Sequence, residues 1–160
     1  DAPVTAIGGL WHLEGETVSI LADGNVVEPL VVTNGAITLS IPATRVIVGL
    51  GYRCIARNLP LTAVDAVLEE KRKRIIGLGV RMHDTRGLKY GVDLATLYEM
   101  KERTDEPLGE PTRLLRDMRY ELVGTQFDDN GQVYMVQDYP LPATVLGLVQ
   151  DFELGDDDQD

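Results

Sequence analysis

The stretch VVEPLVVTNGAITLSI at residues 26–41 decides the fold class of this chain. Asn34 and Gly35 stand between two apolar runs, and both residue types tolerate the positive φ that a tight two-residue hairpin requires. After this turn apolar and polar residues alternate, which predicts a strand with one buried face. The apolar positions of that strand are Ile37, Leu39 and Ile41. The stretch therefore predicts an antiparallel β-hairpin.

Similar strand signals continue on both sides of the hairpin. Residues 113–122 fit a strand or a helix by pattern, and their β surroundings favour a strand. Turn signals separate the runs at residues 23–25, at Pro42-Ala43, at residues 86–87 and, as a further hairpin, at residues 128–131. The predicted strands are residues 16–22, 26–33, 37–41, 45–50, 75–82, a short strand closed by Gly91, 113–122, 133–136 and 144–154.

Strands at this spacing predict an all-β fold. We expect a small antiparallel β-barrel or sandwich over residues 1–60 and a second β domain, packing on it, over residues 61–154. We expect residues 155–160 to form an acidic disordered tail. At most one short helix is predicted, within residues 59–70, where Thr62 is a candidate cap.

The composition argues against several classes of function. The formal net charge is −11, and such a surface repels the phosphate backbone on which nucleic-acid affinity depends. The single cysteine, Cys54, rules out an intrachain disulfide or a metal site built from several cysteines. No apolar run approaches the ~20 residues that a membrane helix needs. The chain opens at Asp1 without Met, so we expect the natural product to be longer or processed.

The candidate catalytic residues are few, and each has a structural interpretation that we favour. His83 precedes Asp84, an arrangement that can serve as a base and its orienting carboxylate, but a strand end explains it as well. His12 fits a half-buried strand residue. Cys54 fits a small buried hydrophobe better than a reactive thiol, although arginines lie nearby. The sequence predicts no catalytic site, no cofactor and no metal, and we interpret the protein as a non-enzyme.

Two charged segments are considered as binding sites. Lys71, Arg72, Lys73 and Arg74 form one basic cluster in an acidic chain. We interpret them first as a solvated face, second as a contact to an acidic neighbouring subunit and last as a nucleic-acid patch. The acidic turn at residues 128–131 lacks the ligand spacing of a calcium loop, so turn chemistry explains it.

Several blocks of the sequence resemble one family in the expected order. They are LEGETVSILADG (13–24), GAITL (35–39), VGLGY (48–52), KRKRI (71–75) and QDYPLPATVLGL (137–148). These blocks are similar to segments of virion structural proteins of short-tailed phages and prophages. The resemblance identifies the carboxy-terminal part of a tail nozzle, or tubular tail protein B-like, subunit. The first β region is also similar, in fold only, to the small β-barrel inserted in ubiquitin-activating enzymes.

The resemblance implies a structural role in the virion, in a phage tail assembled from proteins made in the host cytoplasm. Such subunits form a sixfold homo-oligomeric ring below the portal and adaptor, and DNA leaves through the ring without tight binding. An alternative is a host-glycan-binding β module of a phage particle, which would use exposed aromatic side chains. Trp11 and Tyr98 are the foremost candidates for that role, with Tyr90, Tyr134 and Tyr139 as further ones.

Overall fold

In the computed structural model, which describes residues 2–60, 71–103, 105–124 and 126–155, antiparallel strands form nearly all of the regular structure. One turn of 3-10 helix, Trp11–Leu13, is the single helical element among these residues. The predicted all-β class is confirmed. The helix predicted within residues 59–70 falls largely on residues 61–70, which lie outside the described residues. The predicted acidic tail likewise falls largely on residues 156–160, which are also outside them.

The first of two compact units takes in the described residues up to Arg53, together with residues 103–112 and 138–140. Its strands form a three-stranded sheet in the order β3-β2-β5 and a two-stranded sheet, β1-β4. No sheet among the described strands closes into a barrel, so the barrel that was one alternative for this part is not observed. The strands are β1 (Val4–Ile7), β2 (Thr17–Ala22), β3 (Asn25–Val31), β4 (Ile37–Ala43) and β5 (Val46–Leu50).

The tight turn predicted at Asn34-Gly35 is confirmed, because both residues have positive φ, 53° and 64°. The hairpin itself ends after one bridge between Thr33 and Ala36. Beyond that bridge β3 pairs with β2, and β4 pairs with β1. The predicted turn was therefore right and the predicted pairing wrong. Neighbouring residues determine where a turn forms. Which strands pair depends instead on which apolar side chains are buried together in a common core. That core consists of Val18, Ile20, Ala22, Val32, Ile37, Leu39 and Ala43.

Two expectations about β4 are corrected. Leu39 is buried as predicted, but Ile41 is 75% exposed. The β1–β4 register shifts between Val4 and Ala6, so β4 has extra residues at this point and the alternation of faces is lost. The turn expected at Pro42-Ala43 lies at residues 44–45 instead, where the Asp23 carboxylate accepts hydrogen bonds from both backbone N–H groups, at 2.9 and 2.7 Å.

The second unit consists of residues 54–102, 113–137 and 141–160 as far as they are described. It has a four-stranded sheet in the order β6-β11-β8-β9 and a three-stranded sheet in the order β10-β7-β12. Its core includes Leu78, Val80 and Met82 of β7 with Val133 and Met135. The strands are β6 (Cys54–Arg57), β7 (Lys73–Met82), β8 (Lys89–Asp93), β9 (Thr96–Glu99), β10 (Met118–Leu122), β11 (Tyr134–Gln137) and β12 (Val145–Leu154).

The second half of residues 113–122 is strand, as predicted, but the hairpin expected around residues 128–131 does not form. β10 pairs with β7, and β11 pairs with β6 and β8. Asp128 instead makes an isolated antiparallel bridge to Lys73, the first residue of β7. The turn residues are thus held by a partner more than fifty positions away in the chain, which local sequence does not specify.

Candidate functional site

Among the strands that the structure describes, none pairs with the outer side of β10 or of β12 in the sheet β10-β7-β12, and these two open edges match each other in register. Residues Gly77 to Arg81 of β7 pair on one side with the whole of β10 and on the other with residues 147–151 of β12. Both outer strands are antiparallel to β7, so they run parallel to each other. Each edge therefore presents a regular five-residue segment, in the same direction and at the same height of the sheet.

β12 is an edge strand in the described part of the chain. It has ten residues, none of which is buried, and its ladder has no partner other than β7. In an edge strand, alternate residues direct their N–H and C=O groups away from the sheet, where another strand can pair with them. The strand carries no Lys or Arg. Its apolar residues are Val145, Leu146, Leu148, Val149, Phe152 and Leu154.

One face of this sheet carries exposed apolar side chains together with the charged residues Arg81 and Asp151, and we call it the outer face. Residues that oppose each other across antiparallel strands share a face. Tyr120 and Val149 both oppose Gly79, and Leu122 and Asp151 both oppose Gly77. Leu122 is 77% exposed and Val149 is 54% exposed. Exposed apolar side chains on a face that continues into two open edges are expected of a surface that another chain covers.

Glycines in β7 form the floor of the outer face. A Cβ on Gly77 would overlap the Tyr120 hydroxyl, and a Cβ on Gly79 would overlap the Met118 methyl group. The Tyr120 ring crosses this floor and donates a hydrogen bond from Oη to Asp151 Oδ2 of β12, at 2.6 Å. This bond raises the pKa of Tyr120 above 10.0, its ordinary value. Tyr120 thereby ties one edge strand to the other across the central strand.

The basic segment Lys71–Arg74 is largely occupied by contacts within its own chain. Arg72 Nη2 donates to the backbone oxygen of Phe127 at 2.7 Å. The Arg74 guanidinium pairs with Glu153 at the end of β12 and lies 5.1 Å from the centroid of the Phe127 ring. These contacts fasten the start of β7 to the loop that precedes β11. The segment therefore stabilises the fold of its own chain. Lys71 is half-buried and Arg72 is exposed, so a neighbouring subunit could still contact these two side chains.

The interpretation of this segment as a solvated face is wrong for Lys73. Its side chain is buried, with 2% exposure, and its ammonium group donates to the backbone oxygens of Lys71 and Asp129, at 3.1 and 3.0 Å. A second bond pair links the backbones of Lys73 and Asp128, at 2.6 and 2.8 Å. A buried ammonium group fixed in this way is not accessible to a neighbouring subunit, so Lys73 leaves the set of candidate contact residues.

The acidic turn at residues 128–131 works as a turn, in agreement with the sequence. Asp128 Oδ1 accepts hydrogen bonds from the backbone N–H groups of Asn130 and Gly131, each at 2.6 Å. Within the ranges that the structure describes, no three His, Cys, Asp or Glu side chains form a group able to hold a metal ion. None of the helical residues described is part of a helix long and apolar enough to cross a membrane.

The pair formed by His83 and Asp84 has a third member that the sequence did not indicate. His83 Nε2 lies 3.5 Å from Asp84 Oδ2, while Arg116 Nε binds the other carboxylate oxygen. The hydrogen bond from Arg116 lowers the pKa of Asp84 below its ordinary value. The carboxylate is thus oriented primarily by an arginine. Cys54, expected to be a buried hydrophobe, is exposed at the start of the edge strand β6.

The two aromatic candidates for glycan binding lie in different units. Trp11 is 70% exposed and belongs to the first unit. Tyr98 is half-exposed in the second unit, where its ring centroid lies 6.0 Å from that of the buried Tyr90. Tyr98 therefore contributes one side of its ring to the packing of its own sheet, whereas the exposure of Trp11 has no such structural explanation.

Sequence reasoning did not single out the outer face, although a signal was present. Gly77 and Gly79 are two residues apart in an apolar strand, and this spacing puts both on one face of a sheet. Met118, Tyr120 and Leu122 have the same period of two. Large side chains in one strand and glycines in another are complementary once paired, but the sequence does not state which strands pair.

No protein-family model matches the chain, and a search of curated proteins finds no match.

Proposed function

We propose that this chain is a virion structural protein, a subunit of a tail nozzle or tube ring through which phage DNA is ejected. The observation that supports a ring-forming subunit best is the pair of matched open edges in the sheet β10-β7-β12. The assignment to a phage tail rests on the sequence blocks that resemble short-tailed phage proteins.

Matched edges suit a head-to-tail contact between identical subunits. If β12 of one subunit lies beside β10 of the next, the sheet continues with all copies in the same orientation. The joint is parallel, because the two strands run parallel within one subunit. A head-to-tail contact of this kind closes into a ring when its rotation divides a full turn, and the resemblance implies six subunits.

The outer face supports the same arrangement. A joint between β12 and β10 brings Val149 of one copy toward the row that contains Tyr120 and Leu122 of the next. Burial of such apolar side chains contributes roughly 25 cal/mol per Å² of surface removed from water. Val149, which is 54% exposed in the single chain, is thereby covered in the ring.

The charge of the chain suits a conduit. With a net charge of −11, subunits arranged around a lumen present a surface that does not hold a phosphate backbone. DNA passes without tight binding, and the portal and adaptor proteins of the particle are the expected neighbours of the ring. Lys71 and Arg72 are secondary contact candidates toward an acidic neighbour.

Native mass spectrometry of the chain over a range of concentrations tests the proposal. The expected result is one closed oligomer of defined subunit number, with no retention of double-stranded DNA in a gel-shift assay at physiological salt. A strict monomer at every concentration contradicts the ring, and tight DNA binding contradicts the conduit.

A further inference from the structure

Asn34 and Gly35, the residues of the tight turn that follows β3, form a dipeptide with a covalent chemistry of its own. In an Asn-Gly pair the glycine nitrogen can attack the asparagine side chain, because glycine has no Cβ to obstruct the approach. The chain contains a second such pair, Asn130-Gly131, in the acidic turn before β11. Both asparagines are exposed, so solvent reaches both side chains. Each pair is therefore a candidate site of spontaneous deamidation.

Deamidation converts an asparagine without an enzyme or a cofactor. The Gly35 nitrogen loses its proton to a solvent base, and its electron pair forms a bond to Cγ of Asn34. The Cγ–Nδ2 bond then breaks, and Nδ2 takes up a proton and leaves as ammonia. Water opens the resulting cyclic imide at either carbonyl group, which yields aspartate or isoaspartate at position 34. The reaction therefore requires a glycine N–H that is free to lose its proton.

A carboxylate holds the reacting N–H group of the first pair. Glu14 Oε2 accepts a hydrogen bond from the Gly35 N–H at 2.6 Å, and Oε1 accepts one from the Asn34 N–H at 2.9 Å. A negatively charged acceptor stabilises the protonated nitrogen and repels the amide anion that must form before the attack. The same bond directs the Gly35 N–H toward Glu14 and away from the neighbouring side chain.

The conformation and the burial of this turn oppose the attack as well. Asn34 and Gly35 both have positive φ, and the Gly35 oxygen accepts a hydrogen bond from the Leu10 N–H at 2.8 Å. Gly35 is buried, and the Trp11 indole packs so closely against it that a Cβ at this position would overlap the ring. Cyclisation requires the peptide group between the two turn residues to rotate, so these contacts must break first.

The second pair has the same contact with a different carboxylate. Asp128 Oδ1 accepts hydrogen bonds from the N–H groups of Asn130 and Gly131, each at 2.6 Å. Gly131 is buried, like its counterpart in the first pair, and has a positive φ of 59°. The two pairs belong to different units of the chain. The carboxylate that holds the glycine N–H is thus a feature shared by two unrelated turns.

We propose that Asn34 and Asn130 are latent deamidation sites, each protected by the carboxylate that holds the following glycine N–H. The protecting residues are Glu14 in the first unit and Asp128 in the second. Loss of either contact opens its own site to conversion. At position 34 the product places a new carboxylate beside Glu14, and isoaspartate adds a methylene group to the main chain of the turn. This inference does not rest on the proposed ring, since neither turn belongs to the open edges.

Peptide mapping by mass spectrometry, with separation of aspartate from isoaspartate, tests the proposal on the full chain incubated in mildly alkaline buffer. Glu14→Gln keeps the shape of the side chain and removes its charge. It should speed the conversion of Asn34 about tenfold, the effect of losing one hydrogen bond to a charged acceptor. An unchanged rate in this variant overturns the proposal, and so does a wild-type rate equal to that of a synthetic peptide of residues 30–38.

The two sites serve as controls for each other in every sample. Glu14→Gln should accelerate conversion at Asn34 alone, and Asp128→Asn should accelerate it at Asn130 alone. Glu16→Gln removes the same charge at an exposed position of the first unit and should change neither rate. An equal rise at both sites in Glu14→Gln overturns the proposal, because it shows a general loss of structure.

A core variant separates the local contact from the stability of the first unit. Ile20 has no exposed surface, so Ile20→Val lowers the stability of this unit while Glu14 is retained. We expect Asn34 to convert at the wild-type rate in Ile20→Val. An acceleration equal to that in Glu14→Gln overturns the proposal, because it assigns the protection to the fold of the unit and not to the carboxylate.

Discussion

β7 and β12 are neighbouring strands of one sheet and have the same length, but they differ in how far their residues are buried. Each has ten residues, but seven residues of β7 are buried and none of β12 is. The difference does not come from composition, because β12 is as rich in large apolar residues as β7. It comes from position, since β7 has a strand on both sides and β12 on one.

This comparison separates two uses of apolar side chains. The side chains of β7 stabilise the unit, because Leu78, Val80 and Met82 lie in its core. Among those of β12, Val145 and Leu148 also pack against this core, whereas the more exposed Leu146 and Val149 are available to a second chain. We therefore expect substitutions in β7 to change the free energy of unfolding, and substitutions in β12 to change association.

The largest expected change in the free energy of unfolding comes from a substitution in the centre of β7. Leu78 has no exposed surface, so Leu78→Ala leaves a cavity and should lower the free energy of unfolding by about 2–5 kcal/mol. Leu146→Ala in β12, where the side chain is 62% exposed, should change it by less than about 0.5 kcal/mol. Urea denaturation of both variants checks the contrast, and similar losses in the two strands would contradict it.

Glycines offer a second matched pair. Gly77→Ala in β7 forces Tyr120 away from Asp151 and should cost about 1–3 kcal/mol through overpacking. Gly147→Ala in β12 meets nothing within 4 Å and should be close to neutral. Because Tyr120 causes the overlap, a double-mutant cycle with Tyr120→Ala should recover most of the cost. A full cost in the Tyr120→Ala background would show that another contact is responsible.

The buried ammonium group at the start of β7 gives a third comparison. Lys73→Met retains much of the side-chain volume but removes the donors to the oxygens of Lys71 and Asp129, which should cost about 1–3 kcal/mol. Lys71→Met, two residues earlier, should cost far less. Thermal unfolding monitored by circular dichroism distinguishes the two, and an equally mild effect at Lys73 would contradict its role as a fixed donor.

The bond from Tyr120 to Asp151 makes the link between β10 and β12 dependent on pH. The pKa of Tyr120 is raised in the folded chain, so the neutral phenol is the form that the fold favours. Its contribution is fully present below the ordinary tyrosine value of 10.0 and is lost as the pH rises through the raised folded value. Wild-type protein should therefore lose stability relative to Tyr120→Phe above pH 10, in unfolding measurements across alkaline pH.

The matching control is Asp151→Asn. Removing the carboxylate takes away the acceptor that raises the pKa, so the Tyr120 phenol should ionise at lower pH than in the wild type. Phenolate absorbance follows this change, and an unaltered titration would show that the bond does not hold in solution.

The sequence predicted what depends on neighbouring residues. The all-β class, the turn at Asn34-Gly35 and the long final strand follow from local periodicity and turn chemistry. The pairing of strands does not, since it depends on which apolar faces meet across the chain. Asp128 illustrates this limit, because its turn was predicted correctly while its bridge to Lys73 was not.

The candidate surfaces were predictable to different degrees. The sequence marked Trp11 as a candidate exposed aromatic, but the contact of its indole ring with the backbone of Gly35 depends on the tertiary fold. The basic segment was recognised as unusual, yet the burial of Lys73 arises from carbonyl groups supplied by a distant loop. The open edges of β10 and β12 follow from sheet order, and sheet order is the property that local patterns leave undetermined.

The most direct test of the central claim uses one variant for each edge. Val149→Lys places a charge on β12, and Leu122→Lys places one on β10; both side chains are exposed, so each variant should fold. If β12 of one subunit joins β10 of the next, each variant alone should fail to form the closed oligomer.

Sedimentation velocity of the two variants, separately and mixed in equal amounts, is the measurement. Each variant should sediment as a monomer, and the mixture should form a dimer, because one intact β12 and one intact β10 make a single joint that cannot propagate. A mixture that stays monomeric, or variants that still form the wild-type oligomer, would contradict the account.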